Sequence, residues 1–250
     1  MSDIDDFAQA YVLHRRPFRE TSALVALWVE NLGLVRAVIK GVSGQSKSAI
    51  LRNAWLQPFQ LIRVQIRGTR DLKSIYKFEP VPTGVVIKGE PLFACTYINE
   101  LLLFTLNKHE PELHFFSYYQ EFLKRITDIF RPDAEIEPVL RQKHMIIELR
   151  CFEQYLLEAI GYSFDWGSAR DEEIKVNLAY GFEPGEGFFP QASGLYQGAL
   201  LIAIAQGQWQ TKGALGAARA ALRQQLEWVL GRSLHAPSSQ GKMLMKPENG

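Results

Sequence analysis

LVRAVIK (Leu34–Lys40) and LIRVQIR (Leu61–Arg67) are built on one plan. In the first, Val35, Ala37 and Ile39 alternate with Arg36, Val38 and Lys40. In the second, Ile62, Val64 and Ile66 alternate with Arg63, Gln65 and Arg67. Successive side chains of a strand point to opposite faces, so each run predicts a half-buried strand with an apolar face and a cationic one. A glycine closes both, Gly41 and Gly68. Any half-buried strand turns polar residues outward, but four arginines or lysines with no acid among them point to a face that meets a ligand.

Three more runs of the same kind surround these two. Tyr11–His14 is ended by Pro17, Ala23–Val29 is followed by Asn31 and Gly33, and Leu72–Phe78 stops before Pro80 and Pro82. Five short strands with turn residues at this spacing predict a small closed or half-closed barrel, most economically an OB-fold. Between Gly41 and Trp55 the sequence is rich in Gly and Ser and predicts a mobile loop carrying Lys47 and Arg52, suited to contact with phosphates. After the Pro-rich stretch Pro80–Pro91 the apolar period changes to 3.6, as in Phe93, Tyr97, Leu101, Phe104 and again in Leu149, Phe152, Leu156, Ile160. Helices are expected over 92–107, 112–130, 135–161 and 212–230, with Gly161, Gly213 and Gly231 between or after them. The expected class is α+β: an N-terminal five-stranded OB-fold barrel in residues 1–80, then a mostly α-helical domain in 81–250 with a partner-binding surface and a flexible C-terminal tail. Residues 162–190 read as irregular.

The charge is lopsided behind a formal net of +1. Residues 10–77 hold 12 of the 28 Lys+Arg against Glu20, Glu30 and Asp71, a local net of +9. Such a concentration is the footprint of a polyanion-binding module, nucleic acid first. The opening MSDIDDFAQAY is acidic where a signal peptide is basic, and the longest apolar stretch, Ala199–Ala205, is far short of a membrane span, so a soluble cytoplasmic protein is expected. Cys95 and Cys151 stand alone and five histidines lack paired spacing, so neither a disulfide nor a zinc site is expected, nor any other cofactor. HEPELH (His109–His114) sets its histidines five apart with Pro111 between them, which breaks the metalloprotease pattern. GxxxxGK[ST], strand-linked GxGxxG and GxSxG are all missing, leaving nucleotide hydrolysis, dinucleotide binding and α/β-hydrolase chemistry without an anchor.

VLHRRPFRETS (Val12–Ser22), VIKG (Val38–Gly41), LQPF (Leu56–Phe59), YINELL (Tyr97–Leu102) and LRCFEQYLLEAIGY (Leu149–Tyr162) together resemble the bacterial DNA repair protein family RecO, in order and in spacing. The resemblance implies an OB-fold joined to a helical domain and a protein that is not an enzyme. It implies binding of single- and double-stranded DNA, annealing of complementary strands, and assistance, together with RecR, to RecA in displacing single-stranded DNA-binding protein (SSB) during recombinational repair. It also implies docking of the acidic SSB C-terminal tail on the helical domain, for which Arg150, with Arg141 and Lys143 nearby, is the place to look. The chain departs from the family pattern at Cys151, where many members carry a second basic residue. It also lacks the four zinc-binding cysteines of some members, and its loop after VIKG is less basic.

The expected DNA contacts are Arg36, Lys40, Arg63 and Arg67 from the strands, Lys47 and Arg52 from the loop, and Arg16 and Arg19 from RPFRETS. An arginine clamp with Glu20 would read as catalytic, but a structural role is preferred there: Pro17 fixes a turn, and Thr21 or Ser22 bonds backbone. Trp28, Trp55, Phe59 and Tyr76 are candidates for base stacking, set against a place in the barrel core. Two other classes stay open on the residues alone: a nuclease using the barrel as its grip, with Asp171, Glu172 and Glu173 as acids, and an interaction scaffold without annealing activity.

Overall fold

The computed structural model describes residues 4–30, 32–83, 85–106 and 113–234. The HEPELH run up to residue 112 and the tail from residue 235 fall outside them. Five strands, β1 (Ile4–Phe18), β2 (Ser22–Val29), β3 (Gly33–Ile39), β4 (Leu61–Arg67) and β5 (Leu72–Pro80), close into a barrel of order β1-β2-β3-β5-β4. Only the β3–β5 pair is parallel; β4 returns to pair with β1. This is the OB-fold. The alternation reads through: Val35, Ala37, Ile39, Ile62, Val64 and Ile66 line the interior, while Arg36, Lys40, Arg63 and Arg67 face solvent.

Three local features differ from expectation. Strand β1 is far longer than Tyr11–His14, and Pro17 lies inside it opposite Ala23. A proline is tolerated there because the ladder is ending, and the turn itself falls at Arg19–Thr21, with Arg19 left-handed at φ 54°. Thr21 does serve the backbone, but through its carbonyl, which accepts from Val42 N–H (2.9 Å) and Ser43 N–H (3.2 Å).

The second difference is the segment expected to be a mobile loop, which contains the helix α1 (Lys47–Trp55). Ser46 stops its N-terminus, its Oγ accepting from Ala49 N–H at 3.2 Å. Ala49 packs inward and Leu56, just past the helix, enters the barrel core. Ser46→Ala is expected to lower stability by about 1 kcal/mol, read as a shift of the urea midpoint at constant slope; a shift below about 0.3 kcal/mol would show that the helix does not depend on its cap.

The helices that follow are α2 (Glu90–Thr105), α3 (Leu113–Ile129), α4 (Pro138–Ala159), α5 (Gly198–Ala205) and α6 (Ala214–Leu230). The chain divides into two compact units, Met1–Ile87 with Ile98–Gly161 and Lys88–Tyr97 with Tyr162–Gly250. This is not the division at residue 80: α3 and α4 group with the barrel. The reason is aromatic. Tyr11 and Trp28, opposite each other on β1 and β2, are both fully buried outside the barrel core, against Phe115, Phe116 and Tyr119 of α3 with centroids 5.0–5.5 Å apart. Each such pair adds about 0.5–1.5 kcal/mol beyond its buried area.

The third difference is in the other unit, where residues 162–190 are not irregular. They contribute four strands to a small five-stranded sheet of β6 (Ser168–Ala169), β7 (Glu172–Glu173), β8 (Ala179–Glu183), β9 (Gly187–Pro190) and β10 (Tyr196–Gln197), ordered β10-β8-β9-β6-β7. Phe164, Trp166, Phe182 and Phe188 pack together at 4.7–5.7 Å. Buried Gln225 of α6 ties this unit together, accepting from Gly185 N–H (2.9 Å) and donating to the Tyr162 carbonyl (2.8 Å). Gly231 ends α6 in the left-handed conformation at φ 61°.

Candidate nucleic-acid interface

Register places the strand cations on one wall. Arg36 of β3 stands opposite Leu72 of β5, and Ser74 of β5 has Val38 of β3 on one side and Arg67 of β4 on the other. Arg36, Leu72, Ser74 and Arg67 are all exposed and so lie on neighbouring positions of the outer β3-β5-β4 surface. Arg63, further along β4, faces Glu79 of β5. Among the described residues Arg36, Lys40 and Arg67 have no ion-pair partner. Arg63 does: its guanidinium meets Glu79 at 2.7 Å, and Lys77 reaches the same carboxylate at 3.2 Å. The hydrogen bond from Lys77, joined by that from Arg63, holds the Glu79 carboxyl below the usual range, so this acid stays charged. Lys77 was not picked out from the sequence, because a β-bulge beside it breaks the alternation that singled out the others.

A second cluster sits at one end of the barrel. The Arg19–Thr21 turn is bonded to the chain leaving Lys40, through Thr21, and Arg52 of α1 donates to the Lys40 carbonyl at 3.4 Å. Arg16, Arg19, Lys40 and Lys47 are exposed here. Arg52 is half-buried, its guanidinium 4.8 Å over the Phe78 ring, so part of its role is to seat α1 on the barrel.

The stacking candidates separate by burial. Trp28 is 0% and Phe59 4% exposed, and Trp55 is half-buried with its ring edge-on to Phe78. Tyr76 is 62% exposed.

On α4 the three cations expected to border a pocket are placed differently from one another. Arg150 is buried and pairs with buried Glu153, one turn along the same helix, at 3.0 Å. Arg141 donates to the carbonyls of Ala134 (2.7 Å) and Ile136 (2.8 Å), bracing the turn before the helix. Lys143 is half-exposed. Cys151, in the family's basic position, lies half-buried one turn from Glu148, and burial pushes its thiol up to about 11. Burial likewise raises Cys95 to about 12, so both thiols stay protonated near neutral pH.

Asp171, Glu172 and Glu173 belong to the exposed β6–β7 hairpin, whose two turn residues, Arg170 and Asp171, are left-handed at φ 49° and 67°. Among the described residues no three His, Cys, Asp or Glu side chains are grouped to hold a metal ion, and no helix is long and apolar enough to cross a membrane.

Residues 4–83, the whole barrel, match the family model described as "Recombination protein O N terminal". The chain is 36% identical over 229 residues to the DNA repair protein RecO of Pseudomonas aeruginosa strain LESB58, covering 90% of each chain. It is 35% identical over 229 residues to that of Stutzerimonas stutzeri (89% and 87% covered) and 32% identical over 231 residues to that of Tolumonas auensis (90% of each). With the barrel, its cationic wall and this similarity along nearly the whole length, the chain belongs to the RecO family of DNA repair proteins.

Proposed function

We propose that the protein binds single- and double-stranded DNA through its barrel and anneals complementary strands. In this reading it acts with RecR as a recombination mediator that helps RecA load on SSB-coated DNA, breaking no bond itself. The observation that supports this best is the set of exposed cations, Arg36, Lys40 and Arg67, that no acid neutralises among the described residues. Such a surface releases counterions from phosphates without reading sequence. Two strands held on it repel each other less, and their base edges remain free to pair. Docking of the acidic SSB tail on α4 belongs to the same proposal, with Lys143 as its half-exposed cation.

The test is annealing of complementary oligonucleotides, bare and SSB-coated, with the wild type and Glu79→Gln. The wild type is expected to accelerate annealing of both. Removing the Glu79 charge frees Arg63 and Lys77, and one added phosphate contact steepens the log–log salt dependence by about 0.7, which is about fivefold tighter binding of single strands at 0.1 M salt. Absence of DNA binding at low salt would favour the scaffold reading, and strand cleavage with Mg²⁺ would favour the enzyme.

A further inference from the structure

Tyr76 is held out of the barrel by a defect in the sheet. Along β4 and β5 the register runs Arg67 opposite Ser74 and Ile66 opposite Ile75, then resumes with Gln65 opposite Lys77. Tyr76 has no opposite number and is the extra residue of a β-bulge, a device that re-aims a side chain. Ile75 and Phe78 therefore both turn inward while Tyr76 and Lys77 are both exposed, which strict alternation forbids. A large aromatic left 62% exposed by such a feature is not filling the core.

The ring is also fixed in position. The Arg67 guanidinium lies 3.9 Å from its centroid, covering one face. A guanidinium stacked by its plane keeps the N–H donors at its edge available for a phosphate. On the same strand Leu72 is 48% exposed, and Arg36 stands opposite it. Phe7, the other aromatic near this wall, differs: it is half-buried, with Arg63 and Lys77 both within 5.2 Å of its ring.

We infer that Tyr76 is a stacking platform for one unpaired nucleobase, with Arg67 behind it bound to that nucleotide's phosphate, and that this pair makes the barrel prefer single strands. The inference rests on the reading of the barrel wall as a DNA-binding surface and adds what the cations cannot supply. Phosphates are common to single and double strands, but base faces in a duplex are already stacked on each other. An open ring therefore gains only from a strand whose bases are free.

The experiment measures binding of a single-stranded 20-mer, the same strand with abasic sites, and its duplex, to wild type, Tyr76→Ala and Tyr76→Phe across a salt series. Tyr76→Ala is expected to weaken single-strand binding about tenfold, to leave the salt slope unchanged because no cation is lost, and to leave duplex binding within about twofold. Tyr76→Phe keeps the ring and is expected to bind as wild type, and on the abasic strand the wild type is expected to lose its advantage over Tyr76→Ala. If the wild type binds single strands but Tyr76→Ala binds them equally well, or if Tyr76→Ala weakens the duplex as much as the single strand, stacking is overturned and the cationic wall stands. If the wild type binds neither form at low salt, the wall itself is wrong and the stacking inference falls with it.

Discussion

Asn99→Leu is expected to lower the stability of the protein by about 4 kcal/mol while leaving the cationic wall intact. Asn99 of α2 is 2% exposed and bonds in two directions: its Nδ2 donates to the Leu13 carbonyl at 2.8 Å, and its Oδ1 accepts from the Tyr119 hydroxyl at 2.5 Å. Leu13 is where the pairing of β1 with β2 slips, between Val12 and His14, and its carbonyl accepts from Asn99 there. Leucine matches asparagine in size and offers neither donor nor acceptor. A buried carbonyl on β1 and a buried hydroxyl on α3 each lose the bond to Asn99, at about 1–3 kcal/mol apiece. Tyr119→Phe removes one hydroxyl and leaves one Asn99 lone pair without that donor, so about 1–2 kcal/mol is expected, and the double variant is expected to cost less than the two singles together because they share the Asn99–Tyr119 bond. Urea unfolding measures all three, and a loss under about 1 kcal/mol for Asn99→Leu would show that this network does not join the barrel to its helices.

What the sequence made legible was what is local. Leu34–Lys40 and Leu61–Arg67 alternate within seven residues, and both interior and exterior assignments hold in the barrel. The helices at 113–129, 138–159 and 214–230 were readable because their apolar positions recur every turn. The first half of β1 was not, because its partners Ile62, Val64 and Ile66 are on β4, far along the chain, and nothing in the first ten residues announces them. Helix α1 was hidden by the Gly and Ser around it, although Ser46 directly before KSAILRNAW is a helix-start signal. Helix α5, GALLIAIA, has no polar stripe and so no period to detect, and strands of two to five residues in the small sheet are too short to show one.

The candidate site divides the same way. Strand alternation found Arg36, Arg63 and Arg67, whereas the bulge that exposes both Tyr76 and Lys77 comes from β4–β5 pairing and has no mark in either strand alone. For Arg150, named as the place to look for the tail-docking pocket, the sequence also shows Glu153 one turn away, both among Leu149, Phe152 and Leu156, which is where a buried ion pair on a helix would be.

Replacing Arg36, Lys40, Arg63 and Arg67 together by alanine is expected to weaken single-strand binding about 100-fold at 0.1 M salt and to reduce the log–log salt slope by about 2. Three of the four have no ion-pair partner among the described residues, and a contact to single-stranded phosphate contributes about 0.7 to the slope. Arg63 adds less, because Glu79 already occupies its guanidinium at 2.7 Å and must be displaced before a phosphate can bind. At 0.1 M salt each unit of slope corresponds to a factor of ten in affinity, hence the two orders of magnitude. Stability is expected to change little, since all four side chains are exposed and the single pair lost with Arg63 is a surface one, worth about 0–1 kcal/mol. A folded variant with an unchanged slope would mean that phosphates bind elsewhere, and the exposed cations at the end of the barrel, Arg16, Arg19 and Lys47, would then be the next to replace. A slope reduced by nearer 3 would mean that phosphate displaces Glu79 and that Arg63 contributes in full.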